Sequence, residues 1–219
     1  MAQEATARKI LDETAETAVD LPAHGGTPPS FPSYPRPAIS NARLGLLMFI
    51  AAESMLFAGL IGAFLVFRLG SGIWPPPFQP RLPVIVTGVN TLILLLSGWS
   101  ARRAVKLLRS GSLSEVSRKL FAAALLGVVF LAVQSYEWIR LVQFGLTLSS
   151  GVYGATFYTL IGLHAVHVLG AVIWLAIVVA QTKSGILSPR RRTGVEICVL
   201  YWSFVVGLWP VLYGLVYLL

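Results

Sequence analysis

Few side chains in this sequence are equipped for chemistry, and most of those stand inside long apolar stretches. Glu53 lies within FIAAESMLFAGLIGAF, where an ionised carboxylate at the bilayer centre costs on the order of 2.5–3.5 kcal/mol even on lenient scales. It is therefore expected to be protonated, paired, or facing a wet or protein-lined cleft. Two readings stay open: a carboxyl that exchanges protons or touches lipid, and a neutral acid that hydrogen-bonds a neighbouring helix. His164 and His167 stand three apart, hence on one helix face. Two imidazoles do not complete a metal site, and a third ligand would have to come from Glu53 or Glu137, so no metal is expected. Interhelical hydrogen bonding or contact with a lipid head group is the preferred reading of the pair. Glu137 and Arg140, also three apart, predict a local ion pair. Glu196 opens the last apolar run, where a helix N-terminus favours an acid. Cys198 reads as a small buried residue.

Redox catalysis is tested by subtraction. The histidines are His24, His164 and His167, and Cys198 is the single cysteine. A haem–copper centre needs more imidazoles than these, and a two-copper thiolate centre needs two cysteines. No CxxCH, P-loop or GxGxxG motif stands in a supporting context. The chain is expected to hold no catalytic residue, cofactor or redox centre of its own.

The elements that position these groups follow from composition. Hydrophobic residues make up 56% of the 219 and charged residues 12%, against about 25% charged in ordinary globular chains; mean hydropathy is +0.75. A soluble protein of this size could neither bury so much apolar surface nor cover itself with so few charges. Five apolar runs, 44–67, 83–101, 120–142, 153–180 and 195–219, are each long enough to cross about 30 Å of hydrocarbon as a helix. They lack the period-2 alternation of barrel strands, and only a helix satisfies the backbone of such a run in lipid. The fold class predicted is all-α: a polytopic membrane protein of five transmembrane helices. Glu53, the tenth residue of the first run, lies roughly 13–14 Å along it, near mid-membrane. Beside it Ser54, Ala58 and Gly62 form a stripe of small residues that predicts close helix packing.

Orientation is read from the loops. Arg102, Arg103, Lys106, Arg109, Arg118 and Lys119 fall in 102–119, and Lys183, Arg190, Arg191 and Arg192 in 181–194. Between the other runs stand only Arg68 and Arg81. That bias predicts a cytoplasmic N-terminus and a C-terminus outside, with Trp74, Tyr136, Trp138 and Tyr153 as an outer aromatic belt. The net charge of +8 thus reports orientation and does not imply nucleic acid. Residues 1–43 read as a cytoplasmic tail. Its first 21 residues carry charges of both signs and suit a weak surface helix; Pro22, Pro28, Pro29, Pro32, Pro35 and Pro37 then favour an extended segment. No basic stretch leading into an apolar run and cleavage site opens the chain, so a removed signal peptide is not expected.

With the polar positions aligned on these runs, the sequence from Leu44 onward resembles subunit III of haem–copper oxidases. FIAAESMLFAGLIGAF resembles the segment that holds the family's carbodiimide-reactive glutamate, which falls on Glu53. WPPP and NTLILLLSGWSARRA are similar to its Trp-Pro-Pro and Asn-Thr…Ser-Gly segments, the latter bringing Asn90 and Thr91. VQSYEWIRL matches a Gln-x-x-Glu-Tyr stretch at Gln134 and Glu137. SGVYGATFYTLIGLHAVHVLG carries His164 and His167 in the family spacing, and Glu196 with LYWSFVVGLWPVLY completes the order. In the last helix Ser203 and Val206 stand where the family commonly has His and Asp, so the roles of those two are not carried over. Mitochondrial-type members have seven helices; five resembles bacterial forms.

The resemblance implies a non-catalytic integral partner of subunit I and subunit II in a bacterial inner membrane. Such a subunit stabilises the complex, holds phospholipid in a cleft marked by Glu53, His164 and His167, and supports proton uptake. Asn90, Gln134, Glu137, Arg140 and Glu196 are read as structural polar residues. Haems and copper are expected in the partner subunits, where oxygen is reduced to water and cytochrome c or quinol delivers electrons. An accessory subunit of a nitric oxide reductase and a small proton-coupled transporter are the alternatives; five uninterrupted runs without a repeat speak against the transporter.

Overall fold

The computed structural model describes residues 40–219 apart from 75, 78, 79, 81, 111 and 184–188; the expectations for the tail before residue 40 fall outside the described residues. Five helices follow in chain order: α1 (Asn41–Gly70), α2 (Val84–Ser110), α3 (Leu113–Gln143), α4 (Val152–Lys183) and α5 (Pro189–Tyr213), the last running into a π-helical turn, Gly214–Leu218. All five are long and apolar enough to cross a membrane.

The helices outrun the apolar runs at their polar ends. The basic segment 102–119, expected as a loop, is almost wholly helix: α2 continues to Ser110 and α3 begins at Leu113. Arg and Lys are good helix formers, and their long stems let charged heads leave the apolar layer without ending the helix. Glu115 in the first turn of α3 pairs with Arg118 at 2.7 Å. Ser40 caps α1 by accepting from the Arg43 amide at 3.3 Å, which stops that helix just before its apolar face begins. In α5, Pro210 lies inside the helix, where it cannot donate to the carbonyl one turn back.

Lipid tails are as apolar as leucine, so close packing and hydrogen bonds, rather than burial from water, select helix partners. Helices α2 and α3 show both. Asn90 Nδ2 donates to the Phe130 carbonyl at 3.1 Å, Ser97 Oγ to Ala123 at 2.7 Å and Ser100 Oγ to Lys119 at 2.9 Å. The three bonds keep one antiparallel register along the pair. Along α2, Leu94, Ala101 and Ala104 are fully buried. Gly127 lets α3 approach its other neighbours: a Cβ there would come within 2.8 Å of both Trp202 Cη2 and Val172 Cγ2.

Helix α5 packs against α2 and α4 and contributes Trp202 and Trp209 to the core. Trp202 Nε1 donates to Ser97 Oγ at 3.1 Å, and Trp209 Nε1 to Thr91 Oγ1 at 2.8 Å, so each indole is satisfied inside the bundle. Val206 is buried with Cγ1 2.9 Å from where a Cβ on Gly98 would stand. The residue that replaces the family's aspartate therefore fills an apolar joint between α5 and α2.

Helix α1 is attached differently. Only 11% of its most apolar window is buried, against 39–50% for the other four, and it packs mainly on α4 and α5. Leu46, Phe57 and Phe64 are its buried residues. Within this chain, Ser54, Ala58 and Gly62 do not form the close packing expected of them. All three are exposed, a Cβ added at Gly62 would meet nothing within 4 Å, and Ser54 Oγ donates to the Ile50 carbonyl of its own helix. The contact face of α1 carries Phe57, which meets His164 and His167 of α4, and Phe64, which meets Trp74 edge-on at 5.9 Å.

Candidate functional site: a carboxyl–imidazole pair between two helices

Glu53 stands twelve residues into α1, ~18 Å along its axis, and projects toward α4. Its Oε2 lies 2.8 Å from His167 Nε2, with the two side chains 15% and 14% exposed respectively. The other ring nitrogen, Nδ1, is 2.7 Å from the Leu163 carbonyl. A carbonyl only accepts, so Nδ1 carries a hydrogen and donates. One proton must then lie between Nε2 and Oε2, either as a carboxylic acid donating to a neutral ring or as an imidazolium donating to a carboxylate. The pair is electrically neutral in both arrangements, which removes most of the cost of an ionisable group at this depth. Without that proton, a lone pair would face a carboxylate and the contact would become repulsive.

Phe57, one turn beyond Glu53, holds the pair in place. Its ring meets His167 edge-on at 5.2 Å and His164 at 6.4 Å. His164 does not join Glu53. It is fully buried, stacks on Trp209 at 5.0 Å with 27° between planes, and neither ring nitrogen has a hydrogen-bond partner. Three residues of helix separate the two imidazoles by about 60° around the axis, enough to turn His167 to α1 and His164 into the core. Among the described residues no group of three or more His, Cys, Asp or Glu could hold a metal ion.

The other polar positions are spread along the bundle. Asn90 reaches the Phe130 carbonyl, and Gln134 Nε2 donates to the Tyr217 hydroxyl at 3.3 Å. The ion pair expected between Glu137 and Arg140 is not formed: Glu137 is 5% exposed on the inner face of α3, while the exposed Arg140 guanidinium lies 5.9 Å from the Tyr136 ring centre. Glu196 is exposed and stands in the second turn of α5, because that helix starts at Pro189 and has no acid in its first turn. Cys198 is buried. At one end of the bundle Trp74 meets Tyr153 edge-on at 5.0 Å, and Tyr158 donates to the Leu146 carbonyl at 2.8 Å.

Sequence reasoning missed Phe57, although its four-residue spacing from Glu53 puts both on one face. It also missed Ser97, Trp202, Trp209 and Tyr217, which carry no local signal because their partners lie on other helices.

A protein-family model described as Cytochrome c oxidase subunit III matches residues 35–219. The chain belongs to the cytochrome c oxidase subunit III family. It is similar to a protein named Cytochrome c oxidase subunit 3 from Synechocystis sp., 35% identical over 176 residues, which cover 80% of this chain and 74% of that one. The same name is carried by a relative from Bacillus subtilis, 29% identical over 88% of this chain and 95% of its own length. A third, from Latimeria chalumnae, is 33% identical over 83% of this chain and 70% of its own. The matched region spans all five helices, so the subunit III assignment covers the Glu53–His167 pair and its supports. As a subunit III, the chain is a multi-pass membrane component of a haem–copper oxidase complex.

Proposed function

We propose that this chain is a non-catalytic subunit III that keeps subunit I turning over, and that the Glu53–His167 pair is the part that does so. The hydrogen bond between α1 and α4 carries the reading: it holds one exchangeable proton in a neutral pair at mid-membrane, on the helix with the most exposed apolar surface. The pair sits where lipid and a partner subunit both have access to α1, which suits a phospholipid-lined cleft facing subunit I. His164 helps define the inner wall of that cleft through Phe57. Within this reading the tail over residues 1–43 and the basic helix ends face the cytoplasm of a bacterial inner membrane, and the C-terminus faces outward.

Redox chemistry belongs to the partner subunits. Haems and copper there supply electron transfer and oxygen reduction, with cytochrome c or quinol delivering electrons. The donor set of this chain supports the division: His164 is enclosed by aromatic rings, His167 is committed to Glu53 and Leu163, and Cys198 is buried alone.

The test is Glu53→Ala in the purified oxidase complex. Subunits I and II are expected to co-purify with this chain and the haem spectrum to be unchanged, while the enzyme inactivates after fewer turnovers and takes up protons more slowly. Unchanged lifetime and proton uptake would remove the role. Loss of assembly would instead assign Glu53 to holding α1 in place.

A further inference from the structure

Away from the Glu53 site, where α2 begins and α3 ends, the bundle interior is polar. Thr87, Asn90 and Gln134 are 1%, 1% and 3% exposed. Oδ1 of Asn90 and Oε1 of Gln134 each lack a hydrogen-bond partner. The orientation of Asn90 is fixed by chemistry, since the Phe130 carbonyl only accepts and so must face the amide nitrogen. Its oxygen is left needing a donor.

These three groups share one neighbourhood. The register that sets Asn90 against Phe130 and Ser97 against Ala123 brings Thr87 opposite the turn holding Gln134. Both adjoin the Tyr217 hydroxyl: Gln134 Nε2 donates to it at 3.3 Å, the Thr87 hydroxyl is its second hydrogen-bonding neighbour, and Glu137 lies close enough to act on it electrostatically. Tyr217 reaches this position from the π-helical turn Gly214–Leu218, a distortion that often marks functional positions. On α2, the residue after Asn90 is Thr91, whose Oγ1 accepts from Trp209 Nε1 at 2.8 Å.

Two amide oxygens cannot hydrogen-bond each other, and buried acceptors without a donor are rare and costly. We propose that this cluster is an internal hydration site. At least one water molecule donates one hydrogen to Asn90 Oδ1 and the other to Gln134 Oε1, beside the Thr87 hydroxyl. A buried water makes about three hydrogen bonds; the two unpaired amide oxygens and the neighbouring Thr87 hydroxyl supply that number. The buried Glu137 carboxyl, one turn beyond Gln134, then has a hydrated neighbour rather than a dry one.

Cryo-electron microscopy of the intact, unmodified oxidase complex tests this, at a resolution that shows ordered waters elsewhere in the protein interior. A density peak about 2.7–3.2 Å from Asn90 Oδ1 and from at least one of the other two oxygens is expected. A dry site overturns the proposal, as do side chains turned to satisfy one another directly. A peak with the short, many-oxygen shell of a bound cation overturns it too.

Discussion

Oε2 of Glu53 and Nε2 of His167 stand 2.8 Å apart with a single proton to share, because Nδ1 of the same ring is already given to Leu163. This bond joins the most exposed helix of the bundle to α4 across 114 residues of sequence. The two roles proposed for it, fastening and proton exchange, separate on mutation.

Glu53→Gln retains a donor for His167 Nε2 through the amide nitrogen but has no exchangeable acid. If proton exchange matters, the Gln variant assembles normally and inactivates in as few turnovers as Glu53→Ala. A wild-type lifetime for Gln beside a shortened one for Ala would reduce the role to the hydrogen bond. Turnovers to half-activity of the purified complex measure the difference.

His164→Phe removes a buried ring with two unpaired nitrogens and keeps a planar group against Trp209. Leaving a buried polar group unsatisfied costs about 1–3 kcal/mol, so this variant should melt no lower than wild type in thermal denaturation of the complex. A clear fall in Tm would mean that His164 has a partner after all.

Ser97→Ala should destabilise more than Ser100→Ala. Ser97 donates to Ala123 and also accepts from Trp202 Nε1, so its loss strands a buried indole at a cost of about 1–3 kcal/mol. Ser100 makes one bond, to Lys119. Equal Tm changes for the two would contradict the assignment.

Gly127→Ala places a methyl where Trp202 and Val172 already stand. Overpacking of this kind costs typically ~1–3 kcal/mol. The expected readout is a lower Tm and weaker retention of this chain during purification, with subunit I spectra intact.

The proposed orientation is checked with single cysteines. Ser149→Cys and Ser114→Cys are both exposed positions at opposite ends of the bundle, and native Cys198 is buried. A membrane-impermeant maleimide added to intact cells should label position 149 and spare 114. The reverse pattern would invert the topology.

The apolar runs disclosed five helices because length and hydropathy are local properties. Their ends were illegible for the opposite reason: residues such as Arg102 and Lys106 read as loop in a hydropathy profile, yet continue α2. Glu53 was conspicuous by its cost in lipid, but its partner was not. His164 and His167 were equally eligible, and only the rotation of α4 against α1 chooses between them. Glu137 and Arg140 show the same limit. Their spacing permits an ion pair, whereas packing turns one inward and leaves the other over Tyr136. The small-residue stripe at Ser54, Ala58 and Gly62 indicated close approach, but within this chain α1 meets α4 through Phe57 and the Glu53–His167 bond instead.

Asn90, Ser97 and Ser100 address main-chain carbonyls of α3 rather than its side chains. Every residue type presents the same carbonyl. The hydrogen-bonded part of the alignment is therefore encoded on α2 alone, and substitutions at Lys119, Ala123 and Phe130 leave that part unaltered. A change of side chain at those three α3 positions acts on packing, whereas loss of any one of the three α2 donors removes a bond from the register.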